Sequence, residues 1–146
     1  MTRPSRDEVL MRTAELWALR STCTKPNGAV ISRDGRIVSI GYNGSPPGHP
    51  HCIDVGCLND PQGGCLRTIH AEANAIAWAS RNGVATNGAT IHCTSSPCLA
   101  CAKLLVSAGV SKVVFRTPYR DPGGISVLMQ SDVEVIHLCG ELDGIT

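Results

Sequence analysis

The sequence predicts an α/β fold, a three-layer α/β/α sandwich around a mixed five-stranded sheet, on three observations. Asp34-Gly35 joins two β-branched runs and is a strong short hairpin signal. The second half alternates strand and helix patterns, an order that implies parallel strands joined by right-handed crossovers. The 146 residues show no internal repeat, low-complexity tract or linker, so a single domain over 1–146 is expected.

Residues 5 to 20 place Val9, Leu10, Ala14, Leu16, Trp17 and Leu19 at a mostly helical spacing among charges, with Ser21, Thr22 and Pro26 as breakers. An N-terminal amphipathic helix follows. Ala29–Arg33 and Arg36–Tyr42 read as two antiparallel strands. From Asn43 to Arg67 the chain is rich in Gly, Pro, His and Cys and has neither period; this insertion, about 45–66, is long for an unstructured loop and needs a tie of its own. Ile69–Ser80 is Ala-rich and stops at Asn82-Gly83, which predicts a helix. Ala89–Thr94 reads as a strand, Pro97–Ala108 as a helix ended by Gly109, and Lys112–Arg116 as a strand. A weak helix over 125–130 and a strand over 133–138 complete the sheet.

Composition removes several function classes. Aromatics make up 3% of the chain, so aliphatic residues must build the core. The net charge of +1 is spread without a basic run, which argues against a nucleic-acid partner. No apolar stretch approaches a membrane span, and the polar opening lacks a signal peptide's apolar middle; a cytoplasmic protein with no membrane partner is expected. Eight cysteines in a reducing compartment are read as ligand or catalytic spacings in preference to disulfides.

His70-Ala-Glu72 opens one predicted helix, and Pro97-Cys98-Leu-Ala-Cys101 opens the next crossover helix. Ser96 is expected as its N-cap and Pro97 as its first residue. The i, i+3 spacing of Cys98 and Cys101 brings their sulfurs together at the positive end of a helix, which favours thiolates. With His70 they offer a metal three protein ligands and leave a fourth position for water, the pattern of catalytic zinc. Glu72 lies two residues from His70, off its helix face, and is better placed beside the water as acid/base than on the metal. The alternatives are a redox pair at Cys98 and Cys101, which leaves His-Ala-Glu without a role, and a closed structural zinc with Glu72 as fourth ligand.

The spacing matches the H-x-E…P-C-x-x-C signature of zinc deaminases, in which the Glu is the general acid/base. With Arg20-Ser-Thr-Cys23, Gly28-Ala-Val-Ile31, Gly41-Tyr-Asn-Gly-Ser-Pro-Pro-Gly48, Arg67-Thr-Ile-His-Ala-Glu72 and Tyr119-Arg-Asp121, the chain resembles the deoxycytidylate (dCMP) deaminase family within the cytidine deaminase-like fold. That resemblance implies hydrolysis of dCMP to dUMP and ammonia for thymidylate synthesis, by a homohexamer regulated by dCTP and dTTP. It also implies that Asn43 bonds the deoxyribose or base, that the Ala71 N–H meets the pyrimidine carbonyl, and that Ser21 and the Tyr119-Arg120 region contact phosphate or sugar. The alternatives are a deaminase of another cytosine nucleotide, nucleoside or free base, and a non-catalytic zinc-stabilised nucleotide-binding module.

Cys23, Cys52, Cys57 and Cys65, with His49 and His51, fall in the region without a secondary-structure signal. Clustered thiolates there suggest a second, structural zinc that ties the insertion to the end of the first helix. Some dCMP deaminases resemble this, with ligands at positions matching Cys23 and Cys52; Cys65 and Cys57 complete the expected set, with either histidine as substitute. Free or partly buried thiols are the alternative. Cys93 and Cys139 are read as small apolar residues.

Overall fold

The computed structural model describes residues 2–140. Helix α1 (Arg6–Ala18) starts in a capping box: the Ser5 hydroxyl accepts from the Glu8 N–H at 3.2 Å, and the Glu8 carboxylate accepts from the Ser5 N–H at 3.1 Å. Strands β1 (Gly28–Arg33) and β2 (Arg36–Tyr42) form the expected hairpin. Its two turn residues, Asp34 and Gly35, have φ of 51° and 74°, the positive values that suit the twist of the flanking strands.

The remaining elements are α2 (Cys52–Val55), α3 (Ala71–Arg81), β3 (Thr90–Ser95), α4 (Leu99–Ser107), β4 (Lys112–Thr117), α5 (Gly123–Gln130) and β5 (Glu134–His137). The sheet order is β2-β1-β3-β4-β5. Strand β1 is antiparallel to both neighbours, whereas β3, β4 and β5 are parallel, so the sheet is mixed as predicted.

Alternation along β1 assigns the layers. Ala29 and Ile31 pack with Ala71, Ala75, Ala102, Leu105 and Leu128 of α3, α4 and α5, while Val30 packs on the opposite face with Leu10 and Ala14 of α1. Both faces are therefore covered, which explains the nearly continuous burial of β1. Polar ties hold α1 down: Asp7 meets His92 of β3 at 2.9 Å and Lys112 of β4 at 3.6 Å, and Glu15 meets Arg116 of β4 at 3.0 Å.

Three details differ from the sequence reading. The insertion contains the short helix α2, which no apolar period announces. Helix α4 begins at Leu99 with Cys98 as its N-cap, so neither Ser96 nor Pro97 takes the expected place. The Ser96 hydroxyl is buried and accepts from the Tyr119 N–H at 2.6 Å, a tie to the loop after β4 that local sequence does not encode. Cys139 is exposed, not packed as an apolar residue. Among the described residues, no helix is long and apolar enough to cross a membrane.

Candidate active site

The carboxyl ends of β2, β3 and β4 and the start of β1 lie at one edge of the sheet, the usual place for ligands in open α/β sheets. His70 is the N-cap of α3 and Cys98 the N-cap of α4, so two helix N-termini point into that edge. The backbone just before His70 is fixed by reciprocal hydrogen bonds between Gly44 and Ile69, at 3.2 and 2.8 Å. Asn74, one turn into α3, donates to the Tyr42 carbonyl at 2.8 Å and ties the same helix to the end of β2.

His70 Nδ1 lies 3.4 Å from Sγ of both Cys98 and Cys101, and all three atoms lie within 4.8 Å of one another. Zinc bound at about 2.3 Å by sulfur and about 2.0 Å by nitrogen requires S···N edges of about 3.5 Å in a tetrahedron. The donor set fits that ion. The hydrogen bond with the Cys101 thiol, helped by His70, pushes the Cys98 thiol down to about 4, so Cys98 is the first thiolate to form. Its anionic partner pushes Cys101 up, and the hydrogen bond with Cys98 raises His70 against the opposing effect of burial.

Glu72 occupies the first turn of α3 and is 8% exposed. Burial raises its carboxyl above the ordinary range, with the His70 charge acting the other way. It lines the same cavity as His70 and Cys98 but is not one of the converging donors, as its offset from His70 predicts.

Sγ atoms of Cys23, Cys52, Cys57 and Cys65 also lie within 4.8 Å of one another. Cys23 and Cys57 are 3.7 Å apart, and Cys52 and Cys65 are 3.8 Å apart. The edge of a zinc tetrathiolate at about 2.3 Å per bond is about 3.8 Å, so this second set fits the same ion. Burial pushes the Cys52 thiol up to about 12; at Cys65 burial is outweighed by the backbone N–H groups of Leu58, Arg67 and Thr68, which bring it down to about 6. His49 and His51 stand outside the set, and His51 instead caps α2.

Asn43, Ala71 and Tyr119 line the cavity, together with Cys23 and Cys65 of the four-thiol set. Ser21 does not. Its hydroxyl accepts from the Cys23 N–H at 3.2 Å and donates to the Asn43 carbonyl at 2.8 Å. Arg120, expected as part of the Tyr119-Arg120 region, lines the cavity too, and among the lining residues that the sequence reading did not single out are Lys25 and Asn27. Lys25 Nζ donates to the Gly63 carbonyl at 3.0 Å, and the Arg120 guanidinium lies 5.0 Å from the Tyr119 ring centre. Asn27 accepts from the hydroxyls of Thr94 and Ser95 at 3.0 and 2.7 Å. A cation two residues past Cys23 was the only signal for Lys25, and it has no local meaning until the insertion folds over it.

Residues 4–117 match the family model for the cytidine and deoxycytidylate deaminase zinc-binding region. The chain belongs to this deaminase family. It is 46% identical over 121 residues to ComE operon protein 2 of Bacillus subtilis, covering 82% of this chain and 64% of that protein. With the deoxycytidylate deaminase of Saccharomyces cerevisiae it shares 39% over 142 residues, 92% of this chain and 45% of that one. The chain thus spans less than two thirds of either relative. Among solved structures, the dCMP deaminase of cyanophage S-TIM5 in complex with dCMP and dUMP superposes with a TM-score of 0.82 at 35% identity, over 94% of this chain and all of that one. The fold is that of this deaminase family.

Proposed function

We propose that the chain is a zinc-dependent deaminase that hydrolyses dCMP to dUMP and ammonia, with His70, Cys98 and Cys101 as ligands of the catalytic ion and Glu72 as acid/base. The observation that carries this reading is the convergence of an imidazole and two thiols at S···N distances suited to zinc, beside a buried carboxyl in one cavity. The cyanophage relative described with dCMP and dUMP supports the choice of substrate.

When bound, zinc supplies Lewis acidity that brings a water pKa toward neutrality. Glu72 takes one proton from the attacking water at its carboxylate and delivers it to the ring nitrogen, then takes the second from the new hydroxyl as the carbonyl forms and passes it to the departing amine, which leaves as ammonia. Asn43 and the Ala71 N–H orient the pyrimidine nucleoside, and Tyr119 packs beside it. Arg120 and Lys25 hold the phosphate at the cavity mouth, where among the described residues neither has an ion-pair partner. Cys23, Cys52, Cys57 and Cys65 hold a second, structural zinc that anchors the insertion within the same domain. By family resemblance, the product feeds thymidylate synthesis and the assembly is a hexamer responsive to dCTP and dTTP.

Ammonia release from dCMP, dCTP, deoxycytidine and CMP by the zinc-loaded chain tests the assignment. Turnover of dCMP well above the other three supports it. Preference for deoxycytidine or CMP moves the assignment to another cytosine substrate.

A further inference from the structure

We propose that Ser21 is a positioning residue whose hydroxyl couples the four-thiol set to the substrate cavity, so that the state of the thiol set governs substrate affinity. This rests on the reading of that cavity as the deaminase site. Four connections carry it. The Ser21 hydroxyl is part-buried and doubly used, accepting from the Cys23 N–H and donating to the Asn43 carbonyl. Asn43 in turn clamps the segment after Cys23: its Oδ1 accepts from the Asn27 N–H at 2.7 Å, and its Nδ2 donates to the Lys25 carbonyl at 2.9 Å. The next residue, Gly44, pairs with Ile69, whose neighbour is His70. Cys65 of the same thiol set also lines the cavity, five residues before His70.

A displaced thiol set therefore reaches the cavity along the chain from Cys65 to His70, through Cys23 and the segment that the Asn43 amide clamps, and through Ser21. The Ser21 link rests on one hydroxyl that lies off the cavity surface. Ser21 itself stays off the cavity surface, so loss of its hydroxyl removes no group that faces substrate. Asn43 is 5% exposed with its amide engaged on both ends, so it cannot re-form the connection by turning elsewhere.

The test compares Ser21→Ala, Ser21→Thr, Cys57→Ser and the Ser21→Ala/Cys57→Ser double variant in the zinc-loaded full chain. Losing the hydroxyl is expected to raise KM for dCMP roughly tenfold, the scale of one part-buried hydrogen-bonding group, while kcat stays within about twofold. A chromogenic chelator should draw one class of zinc from Ser21→Ala several-fold faster than from the parent chain, and Ser21→Thr should restore both values. Because the residues act as a unit, Ser21→Ala should add little to the KM of Cys57→Ser. Unchanged KM and unchanged zinc release in Ser21→Ala overturn the proposal, as does a fall in kcat at constant KM or full additivity in the double variant. Should Ser21→Ala not fold, Cys57→Ser decides alone: KM at the parent value with one zinc lost overturns the coupling. A parent chain that turns over no cytosine nucleotide would instead remove the deaminase reading, leaving zinc release to judge Ser21.

Discussion

Gly41 of β2 lies so close to the backbone of Ala71 that a Cβ there would overlap the Ala71 carbonyl oxygen and come within 2.6 Å of the Ala75 nitrogen. Strand β2 thus presses on the first turn of α3, the turn that carries His70 and Glu72, and backbone atoms cannot yield as a flexible side chain would. Gly41→Ala is expected to destabilise the fold by about 1–3 kcal/mol through overpacking and to lower the affinity of the zinc nearest His70. Denaturant unfolding and zinc titration check both; wild-type stability would mean that β2 can withdraw without cost.

Alanine in place of His70, Cys98 or Cys101 is expected to abolish turnover and remove one zinc from a total of about two per chain. Cys52→Ala should remove the other and lower stability by several kcal/mol, because structural metal binding is linked to folding. Cys139→Ala, an exposed thiol outside both sets, should leave metal content unchanged. Metal analysis of the purified variants separates the two ions.

His92 is 1% exposed and meets Asp7 through Nε2, while its Nδ1 has no partner among the described residues. Burial pushes the imidazole pKa down, against the pull of Asp7; Lys112 is the other charged neighbour and also lowers it. A histidine depressed in the fold takes up its proton more readily when unfolded. Its contribution to stability is present above the unfolded value of about 6.5 and is lost as pH falls through the folded one. Burial would raise Asp7, but His92 and Lys112 outweigh it and leave the carboxyl low, which adds a second loss only in more acid solution. Denaturation midpoints of the parent and His92→Phe should diverge in slope below about pH 6.5, with the parent falling more steeply.

Arg120→Ala is expected to raise KM for dCMP by roughly 10- to 100-fold, the worth of a charge-assisted contact to phosphate, and to leave deoxycytidine turnover unaffected. Parallel kinetics on the two substrates check this. Equal losses on both would assign Arg120 to the fold of the loop after β4.

The order of the ten elements among the described residues was largely legible because most of it is written locally. The Asp34-Gly35 turn, the Ala-rich run of α3 and the Gly109 stop of α4 each carry their own signal. The convergence of both clusters, His70 with Cys98 and Cys101 and the four thiols of Cys23, Cys52, Cys57 and Cys65, was legible from thiol and imidazole spacing. What was not legible depends on residues distant in sequence. Ser96 resembles an N-cap until the loop after β4 presents the Tyr119 N–H to it, and α4 then takes Cys98 as its cap. Ser21 resembles a substrate contact until the fold places its hydroxyl between Cys23 and Asn43. Helix α2 spans only four residues, too few for any period to show.

In the proposed mechanism, zinc held by His70, Cys98 and Cys101 and protons carried by Glu72 together convert dCMP to dUMP. The most direct measurement is dUMP formation from dCMP by the parent chain and by Glu72→Gln, with zinc counted on the same samples. Equal zinc is expected in both, with a loss of turnover of about 10²- to 10⁴-fold or more in the variant, the range for removal of a general acid/base. Equal turnover by the two proteins, or loss of zinc on changing Glu72 alone, would contradict it.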